Sequence, residues 1–309
     1  MVKVSVITTF KNESKAIKEF LDSLLNQSRK PDEIVFCDGN SSDQTVEIIR
    51  QYNTHGIPLK LVSKSGGISV GRNAAIKAAS FDIIACTDVG CRLLNDWLEN
   101  IIRPFEENSK VYVVSGLFKP DPKTFFESVS SSLLLSDHDN LDLKNWLPSS
   151  RSIAFKKEAW KKVGGYPESI PFAGEDTLFD LNLKKAGFEF VLAKDAIVYW
   201  RPRKNIKEFF DQYKNYSFGD GLARTNTKNY FRKIYFYIIL ICLILTGIFS
   251  NTLILVTAML IIILYWLRRS RHMWRKNLVI TWLAYAPLII TTKDVADAIG
   301  FTKGYFGHE

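Results

Sequence analysis

Asp32–Tyr52 reads DEIVFCDGNSSDQTVEIIRQY. Glu33 to Cys37 is a short apolar run of strand character. Asp38-Gly39-Asn40-Ser41-Ser42-Asp43 is built from turn formers and acids. Asp43 to Tyr52 then reads as a helix, with Ser41 or Ser42 placed as its N-cap. A strand, a polar turn and a helix make one unit of an α/β fold, and the flanking sequence repeats the unit. Val2 to Thr9 alternates and is β-branched, so it reads as a strand. Glu13 to Leu25 carries Ile17, Phe20, Leu21, Leu24 and Leu25 at helical spacing. Leu59–Ser63, Phe81–Thr87 and Val111–Ser115 read as strands. Arg72–Ala79, Asp96–Glu107 and Thr177–Ala186 read as helices. Alternation of this kind predicts a mostly parallel sheet with crossover helices on its faces.

In such a sheet, ligands bind beyond the carboxyl ends of the strands. That rule selects four loops: Phe10–Glu13, Asp38–Asp43, Ser65–Arg72 and Asp88–Cys91. A plain turn explains Gly39 and Ser42 but has no need of Asp38. The loop Ser65-Gly66-Gly67-Ile68-Ser69-Val70-Gly71-Arg72 ends at a helix start, where amides and an Arg suit a phosphate. It matches neither the dinucleotide fingerprint nor a P-loop. Asp88 follows a buried run and offers oxygen to a hard divalent cation. Gly174-Glu175-Asp176 opens a helix. Acids there also complement the helix dipole, by about 0.3–1 kcal/mol.

Taken as a set, these segments resemble the inverting family-2 glycosyltransferases of GT-A fold, over residues 1 to about 222. VSVITTFKNE resembles the opening strand and its nucleotide loop. DEIVFCDGNSSDQTVEII resembles the DGxSxDxT signature, and SVGRNAAIKAA the ARN helix start. IIACTDVGC stands where the DxD metal motif falls. GEDTLFDLNLKKAG resembles the segment carrying the catalytic base. The resemblance implies a nucleotide-sugar-dependent transferase. Thr9 and Phe10 would line the base pocket, Glu13 would approach the ribose, and Asp38 would accept from the base. Arg72 would approach the pyrophosphate. Glu175 and Asp176 would form the catalytic acidic pair, with Asp176 the general base. Asp88 would hold a divalent metal, Mg²⁺ or Mn²⁺, weakened because Gly90 replaces the second acid of DxD. Cys37 likewise replaces an acid before Gly39. Arg151, before the strand Ser152–Phe155, would face the acceptor. No QxxRW segment follows, which favours single-sugar transfer.

The insert Leu117–Ser150 contains a helix, Thr124–Leu135, in the place where this fold usually builds acceptor pockets. Asp137-His138-Asp139 within it reads as a solvated loop rather than a metal site.

Charge divides the chain. Residues 1–200 are near neutral, with 25 Lys/Arg against 26 Asp/Glu, whereas residues 201–309 hold 16 against 6. A nucleic-acid partner would want a basic stripe on a folded domain, and the first two hundred residues offer none. Ile234 to Leu267 has no charged residue. As one helix it would run about 51 Å against a hydrocarbon core of about 30 Å. Two spans, about 234–250 and 252–267, turning at Ser250-Asn251, fit better. Arg232 and Lys233 precede the run, and Arg268, Arg269, Arg271, Arg275 and Lys276 follow it. Both flanks are therefore expected to be cytoplasmic.

Three regions are expected: a catalytic domain over 1–204, an amphipathic interfacial linker helix over 205–232, and a membrane region over 233–309. The last includes a short third or re-entrant segment at 278–292 and a surface tail beyond Lys293. Four cysteines without a CxxC pair read as free thiols. The start MVKVSVITTF has no signal-peptide pattern. The whole describes a multi-pass cell-membrane protein with a cytoplasmic catalytic domain. Its partners would be a nucleotide-sugar donor, a lipid-linked or glycan acceptor and membrane lipids, with no nucleic acid. A polyprenyl-phosphate acceptor, served by Arg201, Arg203, Lys204 and Lys207, and a non-catalytic scaffold are the alternatives.

Overall fold

Eight strands form one sheet in the computed structural model, which describes residues 2–134, 141, 146–170, 173–275 and 280–307. The strands are β1 (Val4–Phe10), β2 (Glu33–Asp38), β3 (Leu59–Ser63), β4 (Ile83–Cys86), β5 (Cys91–Leu93), β6 (Val113–Pro120), β7 (Ile153–Lys156) and β8 (Phe190–Trp200). Their order is β3-β2-β1-β4-β7-β6-β8-β5. The β3-β2-β1-β4 half is parallel throughout, β7 runs antiparallel to both neighbours, and β5 pairs antiparallel with β8. Parallel pairing resumes between β6 and β8, with a register shift between Ser115 and Leu117.

The helices around this sheet are α1 (Ile17–Leu25), α2 (Thr45–Gln51), α3 (Ile68–Ala78), α4 (Trp97–Glu107), α6 (Lys157–Lys162) and α7 (Glu175–Lys185). The alternation of each strand decides which face meets which helix. Val4, Val6, Ile34, Phe36, Ile83 and Ala85 point to one face, where Phe20, Leu21, Trp97 and Ile101 cover them. Ile7, Val35, Cys37, Ile84 and Cys86 point to the other, beneath Ala75, Ile76, Phe179 and Leu183. Because each central strand is covered on both sides, its residues read as an unbroken apolar run.

Several boundaries differ from the sequence reading. α3 begins four residues before Arg72, with Gly67 at its N-cap, so Arg72 lies inside the helix rather than at its mouth. α2 begins at Thr45 after Gln44, and neither Ser41 nor Ser42 caps it. Those serines serve the loop instead: Ser41 Oγ accepts from Asn12 N–H, and Asn12 Oδ1 accepts from Ser42 N–H. β6 continues to Pro120, so Leu117–Pro120 is strand and not insert. The residues Asp137, His138 and Asp139 lie outside the described residues.

The chain divides into two compact units, residues 1–121 with 137–201, and residues 122–136 with 202–309. The second unit contains α5 (Phe125–Leu134), α8 (Ile206–Leu222), α9 (Thr227–Phe249), α10 (Thr252–Arg275) and α11 (Ile280–Phe306). Two of these, Thr227–Phe249 and Thr252–Arg271, are long and apolar enough to cross a membrane. They fold back on one another around Leu240, Ala258 and Ile262. The linker expected over 205–232 is divided: α8 ends at Leu222, and α9 has already begun at Thr227. The segment 278–292 and the expected surface tail are described from Ile280 as one helix, α11.

The reason the tail is helical lies in its packing. α8 and α11 approach so closely that a Cβ at Gly300 would stand 2.0 Å from the Lys214 carbonyl oxygen, and one at Gly304 2.1 Å from that of Phe218. The charged residues of α11 also find partners. Asp294 meets Lys233 at 3.0 Å and accepts from the hydroxyls of Tyr237 and Tyr265, while Asp297 binds Lys233 and Lys293. Charges that looked solvated in sequence are therefore neutralised inside the helical unit. Gly300→Val should lower stability by about 1–3 kcal/mol or more, since backbone cannot retreat as a side chain can. Thr302→Ala, an exposed change on the same helix, serves as reference in thermal unfolding of the detergent-solubilised chain; equal midpoints would refute the close-packing argument.

Candidate active site

β1 to β4 are parallel, so Phe10, Asp38, Ser63 and Cys86 end on one sheet edge. β7 enters at that edge, with Ile153 opposite Cys86, and this places Arg151 beside the β4 terminus. Asp88 follows two residues after β4. The first residue of α7, Glu175, meets the edge through one side chain, Arg72, and Asp176 is next to it in the chain.

Arg72 is 2% exposed and holds two carboxylates at once. Its Nη1 donates to Glu175 Oε1 at 2.6 Å, and its Nη2 donates to Asp88 Oδ1 at 2.8 Å. Its guanidinium lies 5.3 Å from the centre of the Tyr166 ring, which in turn stacks on Phe179 at 4.1 Å. The next residue, Asn73, is equally occupied. It donates to the Tyr166 carbonyl and to Glu168, and accepts from Trp160 Nε1 and Tyr166 N–H, each at 2.9 Å. The Arg-Asn pair thus pins three separate chain segments to α3.

The carboxylates around Arg72 differ in character. Burial raises the Asp88 carboxyl, but the Arg72 and Arg151 charges and the Arg72 hydrogen bond outweigh it and hold it below its usual value. Its side chain remains 26% exposed, so it can meet a ligand. Burial and then the neighbouring Asp176 charge push Glu175 up to about 7, against the pull of Arg72. Asp176 is half-buried, and its Oδ1 accepts from Thr177 N–H at 2.9 Å. Asp180, one turn further on, is buried with Oδ2 unpartnered, and burial followed by the Asp176 charge raises it well above the carboxylate range. Burial lifts the thiols of Cys37 to about 11 and of Cys86 and Cys91 to about 12. No thiolate nucleophile is therefore available from these three.

On the other side of the edge, Asp38 is buried, and its Oδ1 accepts from Ser41 N–H at 2.9 Å. The Thr9 hydroxyl donates to the Cys37 carbonyl at 3.1 Å. Phe10 is only 5% exposed and packs edge-on against Phe36 at 6.0 Å. Glu13 is half-buried, its backbone held by Thr45 Oγ1 at 2.9 Å. Arg151 stacks over Trp200 at 4.9 Å and Phe118 at 5.3 Å. The structure thus joins Arg72, Asp88 and Glu175 by direct contact, with Asp176 adjacent in the chain, and leaves Thr9, Phe10, Glu13 and Asp38 as a second group on the same edge. Tyr166, Asn73 and Asp180 were not marked by sequence reasoning. Asn73 was legible as the residue after Arg72 in the ARN-like segment. Tyr166 and Asp180 carried no local signal.

Among the described residues, no group of three His, Cys, Asp or Glu side chains is arranged to hold a metal. Asp88 is the one acid at the DxD position, and a Cβ on Gly90 would meet nothing within 4 Å. A single carboxylate fits a hard cation only where phosphate oxygens and water complete the shell.

An α/β sheet with acids gathered at its carboxyl edge, ahead of an apolar helical unit, defines the class as a GT-A-type transferase fold. The glycosyl transferase family 2 model matches residues 5–164, just over half of the chain, and the chain belongs to that family. It is 24% identical to glycosyltransferase AglE of Haloferax volcanii over 201 residues, covering 63% of this chain and 65% of that protein. It is 26% identical to succinoglycan biosynthesis protein ExoA of Rhizobium meliloti over 205 residues, covering 63% and 61%. The chain thus spans less than two thirds of either relative. Among solved structures, the mannosyltransferase PcManGT of Pyrobaculum calidifontis, in complex with GDP-Man and Mn²⁺, aligns with 99% of this chain and 88% of its own. The TM-score is 0.62 at 19% identity, a likeness of fold.

The raised Glu175 has a thermodynamic consequence. The folded state keeps a proton up to about pH 7, whereas the unfolded chain releases it near 4.5. The contribution of Glu175 to stability is therefore greatest below about 4.5 and is lost as pH rises through that window, by roughly 3 kcal/mol. Glu175→Gln should flatten this dependence in denaturation measured at pH 5 and pH 8. The same slope in wild type and variant would mean that Glu175 ionises in its ordinary range.

Proposed function

We propose that the chain transfers one sugar from a nucleotide-sugar donor to a lipid-linked or glycan acceptor, with inversion at the anomeric carbon. The observation that carries this reading is the Asp88–Arg72–Glu175 bridge at the carboxyl edge, because it brings the donor-side acid and the acidic pair of α7 together. Asp176 is the general base. It is half-buried, beside an acid already held by Arg72, and removes the proton from the acceptor hydroxyl as that oxygen attacks. Glu175 is a positioning acid: its bond to Arg72 sets the first turn of α7. Both terminal nitrogens of Arg72 are engaged by carboxylates, so a direct contact with the pyrophosphate requires one pair to open. Arg151, stacked on Trp200 and Phe118, would face the acceptor.

Asp88 would hold the divalent metal, with diphosphate oxygens and water supplying the remaining ligands. Such an ion, Mg²⁺ or Mn²⁺, supplies charge stabilisation to the leaving diphosphate. Asp38 and Gly39, with Thr9 and Phe10 behind them, form the nucleoside side, and Glu13 lies toward the ribose. A lipid-linked acceptor is favoured over a free glycan by the apolar hairpin of α9 and α10, whose outward residues include Tyr235, Ile239, Leu253 and Leu264. A polyprenyl phosphate is one form of that acceptor; Arg201, Arg203, Lys204 and Lys207 are exposed, and they carry the positive charge that its phosphate would meet. A scaffold without activity has no use for a buried arginine between two acids, an arrangement that costs several kcal/mol per ion in desolvation before pairing repays it.

Two variants separate the roles. Asp176→Asn should keep donor binding and lose about 10²–10⁴ in turnover. In calorimetric titration, nucleoside diphosphate should tighten Mn²⁺ binding to wild type, and Asp88→Ala should lose that tightening. Wild-type turnover in the first variant, or an unchanged titration in the second, removes the corresponding assignment.

The hairpin is proposed to cross the membrane twice, with both basic flanks cytoplasmic and Ser250-Asn251 outside. In a Cys242→Ser background, Asn251→Cys in intact cells should react with an impermeant thiol reagent. Protection of that cysteine, with Arg271→Cys labelled instead, would reverse the orientation.

A further inference from the structure

The base of α9 treats its cations unequally. Lys233 is consumed inside the helical unit by Asp294 at 3.0 Å and Asp297 at 2.6 Å. Lys228 and Arg232, on another face of the same helix, are exposed and have no acidic partner among the described residues. Acids are close in sequence and structure, yet the fold spends them elsewhere: Asp220 receives the hydroxyls of Tyr230 and Thr225, and Asp297 also takes Lys293.

The two cations border a shallow, open groove along one face of α9, lined by that helix through Phe231, Tyr235, Phe236 and Ile239. Its chemistry is graded. Positive charge lies at the Thr227 end, aromatic rings follow, and the aliphatic Ile239, 59% exposed, lies furthest along. The aromatic section is braced from one side, because Phe231 packs edge-on against Tyr305 at 5.4 Å and Phe306 at 6.5 Å. An occupant must therefore carry an anion at one end and hydrocarbon at the other. A soluble anion would leave Tyr235 and Ile239 in water, and a plain hydrocarbon would leave Lys228 and Arg232 unpaired.

We infer that this groove binds an anionic phospholipid of the surrounding bilayer, with its phosphate between Lys228 and Arg232 and an acyl chain along Phe231, Tyr235 and Ile239. The inference rests on the membrane reading of α9 and α10, and it assigns the site to a resident lipid rather than to the acceptor. Each basic residue beside anionic lipid contributes roughly a fivefold preference, so the pair contributes roughly thirtyfold.

The test is native mass spectrometry of the full chain in mild detergent, titrated with dioleoyl phosphatidylglycerol or dioleoyl phosphatidylcholine. Wild type should retain the anionic lipid preferentially. Lys228→Gln with Arg232→Gln should lose most of that preference and leave phosphatidylcholine binding unchanged. Arg268→Gln with Arg271→Gln removes equal charge from the other flank of the hairpin and should leave the first phosphatidylglycerol in place. If both double variants lose it equally, the effect is diffuse surface charge and the site is refuted. If wild type and the Lys228/Arg232 variant bind it equally, the site is refuted outright. Displacement of phosphatidylglycerol by far less polyprenyl phosphate, in wild type alone, would give the groove to an acceptor lipid and overturn the assignment. Labelling at Asn251→Cys reports the membrane reading separately, so a protein that spans as proposed but shows no lipid preference fails on this inference alone.

Discussion

A guanidinium that is 2% exposed has to be paid for, and Arg72 is paired twice. Desolvating that cation costs several kcal/mol even after relaxation, and removing either partner would leave charge stranded in the interior. The arrangement stands only if α3, the loop after β4 and the start of α7 all reach one point together. Tyr166 adds a ring beneath the guanidinium, and Asn73 fixes the Tyr166 backbone from the same helix. Each of these contacts is local, but they tie residues about a hundred positions apart in the chain. The geometry of the carboxyl edge is thus an outcome of electrostatic closure as much as of sheet topology.

Burial and length decide which strands the sequence revealed: β1 to β4, β6 and β7 were legible, whereas β5 and β8 were not. β1, β2 and β4 are buried on both faces, so each appears as a continuous apolar run, and the acids that follow them stand out. β8 carries Lys194 and Asp195 in its middle, where the register against β6 slips, and it shows neither strict alternation nor an apolar run. β5 has three residues, too few for any period to show. The start of α3 was misplaced because Gly66-Gly67 and Gly71 suggested an extended turn; Gly71 in fact sits within the helix, close against Thr9. Asp88, Glu175 and Asp176 were legible one by one. That Arg72 joins two of them was not, since sequence spacing carries no record of which side chains meet.

The helical unit gives the complementary case. Lys293, Asp294 and Asp297 suggested a tail at the membrane surface, because charged residues are rarely buried unless paired. Here they are paired, with Lys233, Tyr237 and Tyr265 supplied by α9 and α10. The glycines of α11 carried the better signal. Gly300 and Gly304 lie four residues apart, the spacing by which two helices approach closely. Read that way, they foretell a helix packed against another, which is what α8 provides.

Adjacent acids at the start of α7 raise a final question of division of labour. Two carboxylates one residue apart cannot share one environment, and the helix geometry turns them to different neighbours. Glu175 points into the protein, where burial and the Asp176 charge favour its protonated form while Arg72 favours the carboxylate. Asp176 stays half-buried, with one oxygen accepting a backbone hydrogen bond. In the proposed reaction the buried member is spent on holding α7, and the partly solvated member is free to meet an acceptor hydroxyl. A glutamate already locked to arginine would have to break that bond to serve as base, and breaking it would loosen Asp88 as well, because both hang on the same guanidinium. The proposal of Asp176 as base therefore rests on what Glu175 is bound to, and not only on its place in the chain.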